Sequence, residues 1–168
     1  MKTTVLCLAL AVPMAAIADS PDASFYKVAA EAGLTEVDLG NLAQDKGSNQ
    51  QVKDFGAMMV KDHTAANDKL KSLAASKNIT LPSSSGVHQT ALKAKLEVLS
   101  GDAFDKSYVK SQLRAHREAV GLFKKESTQG QDADAKSFAA ATLPTLRGHL
   151  KQISSIASAE GIGAKAKK

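Results

Sequence analysis

The sequence of 168 residues contains no tryptophan, only two tyrosines and five phenylalanines, and four prolines. Strands of β-sandwiches and barrels are rich in aromatic and β-branched residues, so this composition leaves little material for an all-β domain. Alanine, leucine, lysine and glutamine, which favour helices, are common instead. With 43% hydrophobic and 23% charged residues, the chain is predicted to form one compact all-α domain.

Cysteine is also nearly absent, because Cys7 is the only one and lies in the apolar start of the chain. Lys2 precedes an almost wholly apolar stretch over residues 3–17, and Ala16 and Ala18 place small residues before a cleavage point. This pattern is typical of a secretory signal peptide cleaved after Ala18. The alternative, an uncleaved anchor, is disfavoured because a membrane span needs roughly twenty apolar residues.

Export would leave a chain without cysteine, which excludes disulfides, thiolate catalysis and cysteine-based zinc or iron–sulfur sites. We therefore expect a periplasmic protein, either free or associated with the outer membrane. The predicted organisation is a signal peptide over residues 1–18, a helical bundle over 19–160 and a short basic tail over 161–168.

A concentrated basic run is missing as well. The 22 lysines and arginines outnumber the 17 acidic residues to give a net charge of +5, but the excess is spread along the chain. A protein that follows a phosphate backbone gathers its basic residues into a patch, so no nucleic-acid partner is expected. The basic surface leaves weak contact with anionic envelope material open, and nothing in the pattern specifies an oligomeric state.

Four long segments repeat apolar residues every three or four positions, which is the period of an amphipathic helix. They predict an up-down-up-down four-helix bundle with one extra short helix in the middle connection. The alternative of a helical solenoid would need a repeat of fixed period, and none is evident. The predicted core residues are Phe25, Leu39, Phe55, Leu70, Leu113, Phe123, Leu146 and Ile153.

Each long apolar stripe is interrupted by one residue that can bind a metal ion: Glu36, His63, His116 and His149. Burying even a neutral polar group without a partner costs roughly 2–7 kcal/mol. At about 1.5 Å per helical residue, all four fall in the middle third of the bundle. They therefore predict a shared site for a divalent metal, with enough imidazole to suit zinc or copper. The alternative is a metal-free buried network of the same polar side chains.

Neighbouring residues receive supporting roles. Met59 could bind copper through its thioether, but we interpret it as a core residue. Asp62 is interpreted as a rim residue or as a hydrogen-bond partner of a nearby imidazole, and His88 as a solvated residue of the connection. Gly40 and Gly56 lie inside predicted helices, where glycine is disfavoured, and they indicate either close helix contact or room for a ligand.

Four runs of residues carry a resemblance to a known family. They are Glu36 to Ala43, Val52 to Phe55 with Met59 to His63, Phe104 to Val109 with His116, and Leu143 to Leu146 with His149. In this order the chain resembles the bacterial domain of unknown function 4142 family, exported ferritin-like bundles often labelled outer-membrane proteins. The resemblance covers nearly all of the chain after residue 18. It implies a ferritin-like bundle in the envelope, with no established activity.

The di-iron pattern of ferritin-like proteins is not complete. Such a site uses Glu-x-x-His on two helices, whereas Val60 and Leu146 stand three residues before His63 and His149. We therefore expect a non-enzymatic envelope protein that binds a divalent metal. The alternatives are a metal-free structural or stress-related envelope protein, and a redox or hydrolytic metalloenzyme with an open coordination position.

The signal-peptide interpretation makes the first prediction. We expect the exported protein to begin at or near Asp19 and to be found in the periplasmic fraction, because the apolar stretch is too short to anchor it. Mass spectrometry of the exported protein measures the new terminus. A full-length chain retained in the inner membrane would contradict the interpretation.

Overall fold

The computed structural model describes residues 21–162, so the predicted signal peptide over 1–18 and most of the predicted tail lie outside it. Five helices follow one another, and no strand occurs within residues 21–162. They are α1 (Pro21–Lys46), α2 (Gln50–Ser76), α3 (Val87–Glu97), α4 (Gly101–Gln129) and α5 (Ala133–Ala159). The prediction of an all-α four-helix bundle with one extra short helix is confirmed. Among the described helices, none is both long and apolar enough to cross a membrane.

The predicted order of helix directions is wrong, because α1, α2, α4 and α5 run up, down, down and up. Asp22 at the start of α1 accepts a hydrogen bond of 2.9 Å from the backbone N–H of Gln131, just after α4. Asp105 at the start of α4 accepts one of 2.8 Å from the backbone N–H of Asn49, just after α1. These contacts make α1 and α4 antiparallel, so α2 and α4 run in the same direction. The predicted up-down-up-down order required the middle connection, with its short helix, to begin and end at the same end of the bundle.

The middle connection instead spans the length of the bundle, with α3 lying beside α1. The Ser85 hydroxyl donates to the Asp38 carboxylate at 3.1 Å, near the middle of α1. The Lys46 ammonium at the end of α1 donates to the backbone carbonyl of Glu97 at 2.5 Å. These two contacts fix α3 along the C-terminal half of α1, next to α4.

Carboxylates hold both ends of the bundle. Asp132 caps α5 by accepting the Ala135 N–H at 2.8 Å, and it also pairs with Lys77 at 2.6 Å, so α5 is joined to the end of α2. Asn49 caps α2 and donates to Glu160 at the end of α5 at 2.6 Å. The backbone N–H groups at the helix starts, which have no acceptor within their own helix, are thereby satisfied. The same contacts hold the hairpins α1–α2 and α4–α5 side by side with their ends level.

The core forms two hydrophobic clusters stacked along the bundle. One lies near the α4–α5 turn and includes Phe25, whose ring meets that of Phe123 edge to face at 5.1 Å. The other lies near the α1–α2 turn and includes Phe55 and Phe104. Seven of the eight predicted core residues are buried: Phe25, Leu39, Phe55, Leu70, Phe123, Leu146 and Ile153. Leu113 is only partly buried, because α4 turns the adjacent Gln112 inward instead.

The glycines at the α1–α2 contact allow the two backbones to approach closely. A Cβ atom added to Gly40 would lie 2.6 Å from the carbonyl oxygen of Gly56, and one added to Gly56 would lie 2.6 Å from that of Gly40. Close helix contact therefore explains both residues, and it brings the side chains of α2 inward at mid-bundle.

Replacing Phe55 by alanine should destabilise the bundle by about 3–5 kcal/mol, because a fully buried ring is removed and leaves a cavity. Val98→Ala is the matched control, since Val98 is 83% exposed and should change stability by less than about 0.5 kcal/mol. Urea unfolding followed by circular dichroism measures both. Equal and small losses would contradict the assigned core.

Candidate metal centre

Three histidines from three helices meet between the two hydrophobic clusters. His63 lies on α2, His116 on α4 and His149 on α5, and their ring centroids are 5.5 to 6.1 Å apart. One ring nitrogen of each lies within 4.8 Å of one ring nitrogen of each other histidine. Phe55 packs edge-on against the rings of His116 and His149, which gives the group an apolar side.

The orientation of His116 is set by its own helix. Its Nδ1 lies 3.0 Å from the backbone carbonyl oxygen of Gln112. Because a carbonyl only accepts, Nδ1 carries the proton, and the lone pair is then on Nε2. Nε2 is buried and has no hydrogen-bond partner, so this imidazole presents a free lone pair to the core.

The orientation of His149 is set by a carboxylate on the neighbouring helix. Its Nε2 lies 3.0 Å from Oδ2 of Asp62, and the ring N–H donates to that oxygen. The opposite nitrogen, Nδ1, is buried without a partner. Asp62 thus has the predicted role of a hydrogen-bond partner to an imidazole, the arrangement that fixes the tautomer of metal-binding histidines and raises their basicity.

Burial keeps the third imidazole, that of His63, in its neutral form. Nε2 of His63 is buried without a partner. Burial, reinforced by the nearby His116 and His149, lowers the pKa of His63 to about 3. Burial also lowers the pKa of His116 to about 4, against the opposing effect of its bond to the Gln112 carbonyl. Neutral imidazole is the form that binds metals.

The spacing is close to what a shared ion needs. Bonds of about 2.0–2.1 Å from zinc to imidazole nitrogen place the nitrogens of a tetrahedral site about 3.4 Å apart. The present separations are within 4.8 Å, so the three rings would have to rotate slightly to bring one nitrogen of each onto one ion.

Glu36 lies outside this group of three histidines. It is buried on α1, its Oε2 has no partner, and it lies near Gln112 and Tyr108 rather than among the imidazoles. Gln112 is one helical turn before His116, so Glu36 is about one turn closer to the α1–α2 turn than the histidines. The prediction placed Glu36 level with the histidines by counting residues from the turns. Such a count locates a residue along the bundle axis only to within about one helical turn of 5.4 Å.

Sequence reasoning missed two buried polar residues beside the site. Both amide atoms of Gln112 and the hydroxyl of Tyr108 are buried without partners. The sequence feature that could have identified them is the four-residue spacing from Tyr108 to Gln112 to His116, which places all three on one face of α4. Leu113 was taken for that face because it is the more hydrophobic neighbour.

An open cavity of about 890 Å³ lies between α1 and α4 and reaches this polar layer. Its lining includes His63, His116, Glu36 and Gln112, whereas His149 lies behind them. His88, which is exposed as predicted, stands at its rim. The histidine group is therefore reached from solvent on the α1–α4 side.

Glu36→Gln should stabilise the protein in a pH-dependent way. Burial raises the Glu36 pKa from 4.5 to about 7, so its contribution to folding is most favourable below pH 4.5 and is lost as the pH rises through about 7. The variant should therefore gain roughly 3 kcal/mol over wild type between about pH 4.5 and pH 8. Urea unfolding across this range measures the gain. Glu97→Gln is the control at an exposed site, and a pH-independent difference at Glu36 would refute the assignment.

The fold is similar to that of several solved bundles. A DUF305 protein from Streptomyces coelicolor, described as secreted, has a TM-score of 0.73 at 14% identity and covers 89% of this chain and 99% of that chain. A DUF305 fragment from Deinococcus radiodurans has a TM-score of 0.73 at 11% identity, with coverages of 83% and 97%. CopM in its Cu(I)-bound form has a TM-score of 0.68 at 14% identity, with coverages of 82% and 96%. At such identities the likeness establishes the fold alone.

No curated protein sequence matches the chain. A family model for the domain of unknown function DUF4142 matches residues 8–156, which is most of its length. The resemblance carried by the four runs of residues is confirmed, and the chain belongs to the DUF4142 family.

Proposed function

We propose that this protein is an exported, non-enzymatic helical bundle of the bacterial envelope that binds one metal ion through His63, His116 and His149. The observation that carries the proposal is the convergence of three imidazole nitrogens within 4.8 Å of one another. Each ring belongs to a different helix, so an ion held there would join α2, α4 and α5.

The free lone pairs favour a metal over a metal-free polar network. In a network the buried groups satisfy one another, because an unpaired buried polar atom costs free energy. Here Nε2 of His63, Nε2 of His116 and Nδ1 of His149 all lack partners. An ion that accepts three lone pairs would satisfy all of them together.

Zinc or copper fits this donor set best. Imidazole suits both metals, and three protein ligands leave one tetrahedral position open. CopM, which shares the fold at 14% identity, is known in Cu(I)-, Cu(II)- and silver-bound forms, and this supports a metal of that kind. Because His63 and His116 line the open cavity, the ion would exchange through the α1–α4 side, which suits a binding protein rather than a structural zinc site.

Export is supported by the leader-like residues 1–18 and by the secreted DUF305 neighbour. We propose the periplasm as the site of action, either free or in contact with the outer membrane. The net charge of +5 would favour weak contact with anionic envelope material.

Added zinc or copper should raise the melting temperature of the wild-type protein. A ligand held only by the folded state stabilises it by about 2.7 kcal/mol at a hundredfold excess over Kd. The double variant His63→Ala/His149→Ala should lose this gain, whereas His88→Ala, at an exposed histidine, should keep it. Calorimetry with and without metal measures the difference. An equal gain in the double variant would mean that the ion binds elsewhere, and no gain in wild type would favour the metal-free structural protein.

Asp62→Asn should weaken metal binding by about 10- to 100-fold, because the carboxylate that orients His149 is lost. Asp68→Asn, at an exposed position on the same helix, is the control and should bind as wild type does. Titration with a competing chelator measures both affinities. An unchanged affinity in Asp62→Asn would remove His149 from the proposed ligand set.

Protonation of His63 and His116 should not weaken metal binding above about pH 5, because the folded pKa values of these two rings are about 3 and about 4. Their stability contributions are complete above about pH 6.5, the unfolded pKa, and are lost as the pH falls towards those values. The metal-free protein weakens over the same range, so the metal effect is the difference at each pH. An NMR titration in which the ring of His63 or His116 takes up a proton near pH 6.5 in the folded protein would contradict this prediction.

A further inference from the structure

The cavity between α1 and α4 is far larger than a metal ion needs. Its volume of about 890 Å³ falls within the range of about 300–1,000 Å³ that is typical of sites for organic ligands. Along α1 the lining extends from Val28 to Leu39, a length of about 16 Å at 1.5 Å per residue. Its shape is therefore that of a groove which could hold an extended molecule.

The two ends of the groove differ in polarity. The end near the α4–α5 turn is lined by apolar side chains, among them Leu70, Leu122, Phe123 and Phe138. Val28 stands at this end and is 46% exposed, so it adds apolar surface at the groove's edge. This end of the groove suits a hydrocarbon chain.

The end near the α1–α2 turn is polar and basic. Ser107 and Ser111 line it from α4, together with the ammonium-bearing Lys110, and Lys95 faces it from α3. Both lysines are exposed. Arg114 and Glu118, further along α4, line the groove as a pair at 2.8 Å, and Glu31 lines it nearer the other end. At the polar end Lys95 and Lys110 outnumber the one lining carboxyl, Glu36.

Buried polar atoms at the same end point independently to a ligand. Gln112 is completely buried and Glu36 is 6% exposed. Their side chains lie beside each other but form no well-aligned hydrogen bond, because both amide atoms of Gln112 and Oε2 of Glu36 lack partners. Both residues line the groove. Buried polar atoms are normally satisfied, so these atoms are available to the polar part of a bound molecule. Burial raises the Glu36 pKa to about 7, which lets its protonated carboxyl donate to an oxygen of that molecule.

We propose that the groove binds a single-chain amphiphile with an anionic head group, such as a fatty-acid-like carboxylate. The head lies near Lys95 and Lys110 and bonds to the Gln112 amide, and the chain extends along α1 towards Phe123 and Phe138. The middle of the chain would pass His63 and His116, which line the groove, so this site adjoins the proposed metal site but takes its head group at different residues.

Decanoate and 1-decanol are the probes, since they share a chain and differ in charge. Calorimetric titration of metal-free protein, treated with EDTA, should show saturable one-to-one binding of decanoate. Lys95→Gln/Lys110→Gln should weaken decanoate binding by about tenfold while leaving 1-decanol unchanged, because two exposed charge contacts together contribute roughly 1.4 kcal/mol. Equal affinities of both probes, with no effect of the double variant, would contradict the anionic head.

Filling the groove gives a second test. Ala115→Phe and Ala119→Phe place a ring in the lining of α4 and should each weaken decanoate binding by at least about tenfold. Ala103→Phe is the matched control, at an exposed position of the same helix outside the lining, and should bind as wild type does. Circular dichroism confirms that each variant is folded.

A measurement on the wild type needs no variant. Decanoate should shift the methyl resonances of Leu70 and Leu122 in the groove, and it should leave those of Val87 and Val98, which are exposed on α3, unchanged. Absence of saturable binding, or equal shifts at all four residues, would show surface adsorption and overturn the proposal. Because the protein is metal-free throughout, this outcome does not depend on whether the histidines bind an ion.

Discussion

A layer of buried imidazoles separates the two hydrophobic clusters of this bundle, and the rest of the structure is arranged around it. His63, His116 and His149 are placed among phenylalanine and leucine side chains, where each unpaired nitrogen costs free energy. A bundle filled with apolar residues at these positions would be more stable. The proposed ion would supply the partner that these nitrogens lack within the described residues.

The fold positions this layer by fixing both ends of the bundle and by one close helix contact. Asp105 and Asp132 tie the helix ends together, which sets the relative heights of the two hairpins. Gly40 and Gly56 let α1 and α2 approach, so that His63 is carried inward. Asp62 then orients His149 across the α2–α5 contact. The histidines are thus held by elements that lie well away from them.

Much of the fold was predictable because three features of the sequence indicated the same helices: the spacing of apolar residues, the residues at the turns and the helix-forming composition. The stripes identified all four long helices and seven of eight core residues. The direction of α4 and α5 was not predictable, because a 24-residue connection can lead back to the same end of the bundle or cross to the other end. Only contacts such as that of Asp105 with Asn49 show which of the two occurs. The three histidines could be predicted from stripe position, whereas Glu36 fell one turn away and Gln112 was missed. The period of the apolar residues alone does not fix the height of a residue along the bundle to within one helical turn. It also does not fix which residues of a helix face inward.

The central claim is that three imidazoles bind one ion, and X-ray absorption spectroscopy of the zinc-loaded protein tests it most directly. With one equivalent of zinc, we expect three imidazole nitrogens at about 2.0–2.1 Å with one further light ligand. The His63→Ala/His149→Ala variant at the same loading should lose the scattering of two imidazole rings. A shell of about six oxygen ligands, or a spectrum unchanged in the double variant, would contradict the account.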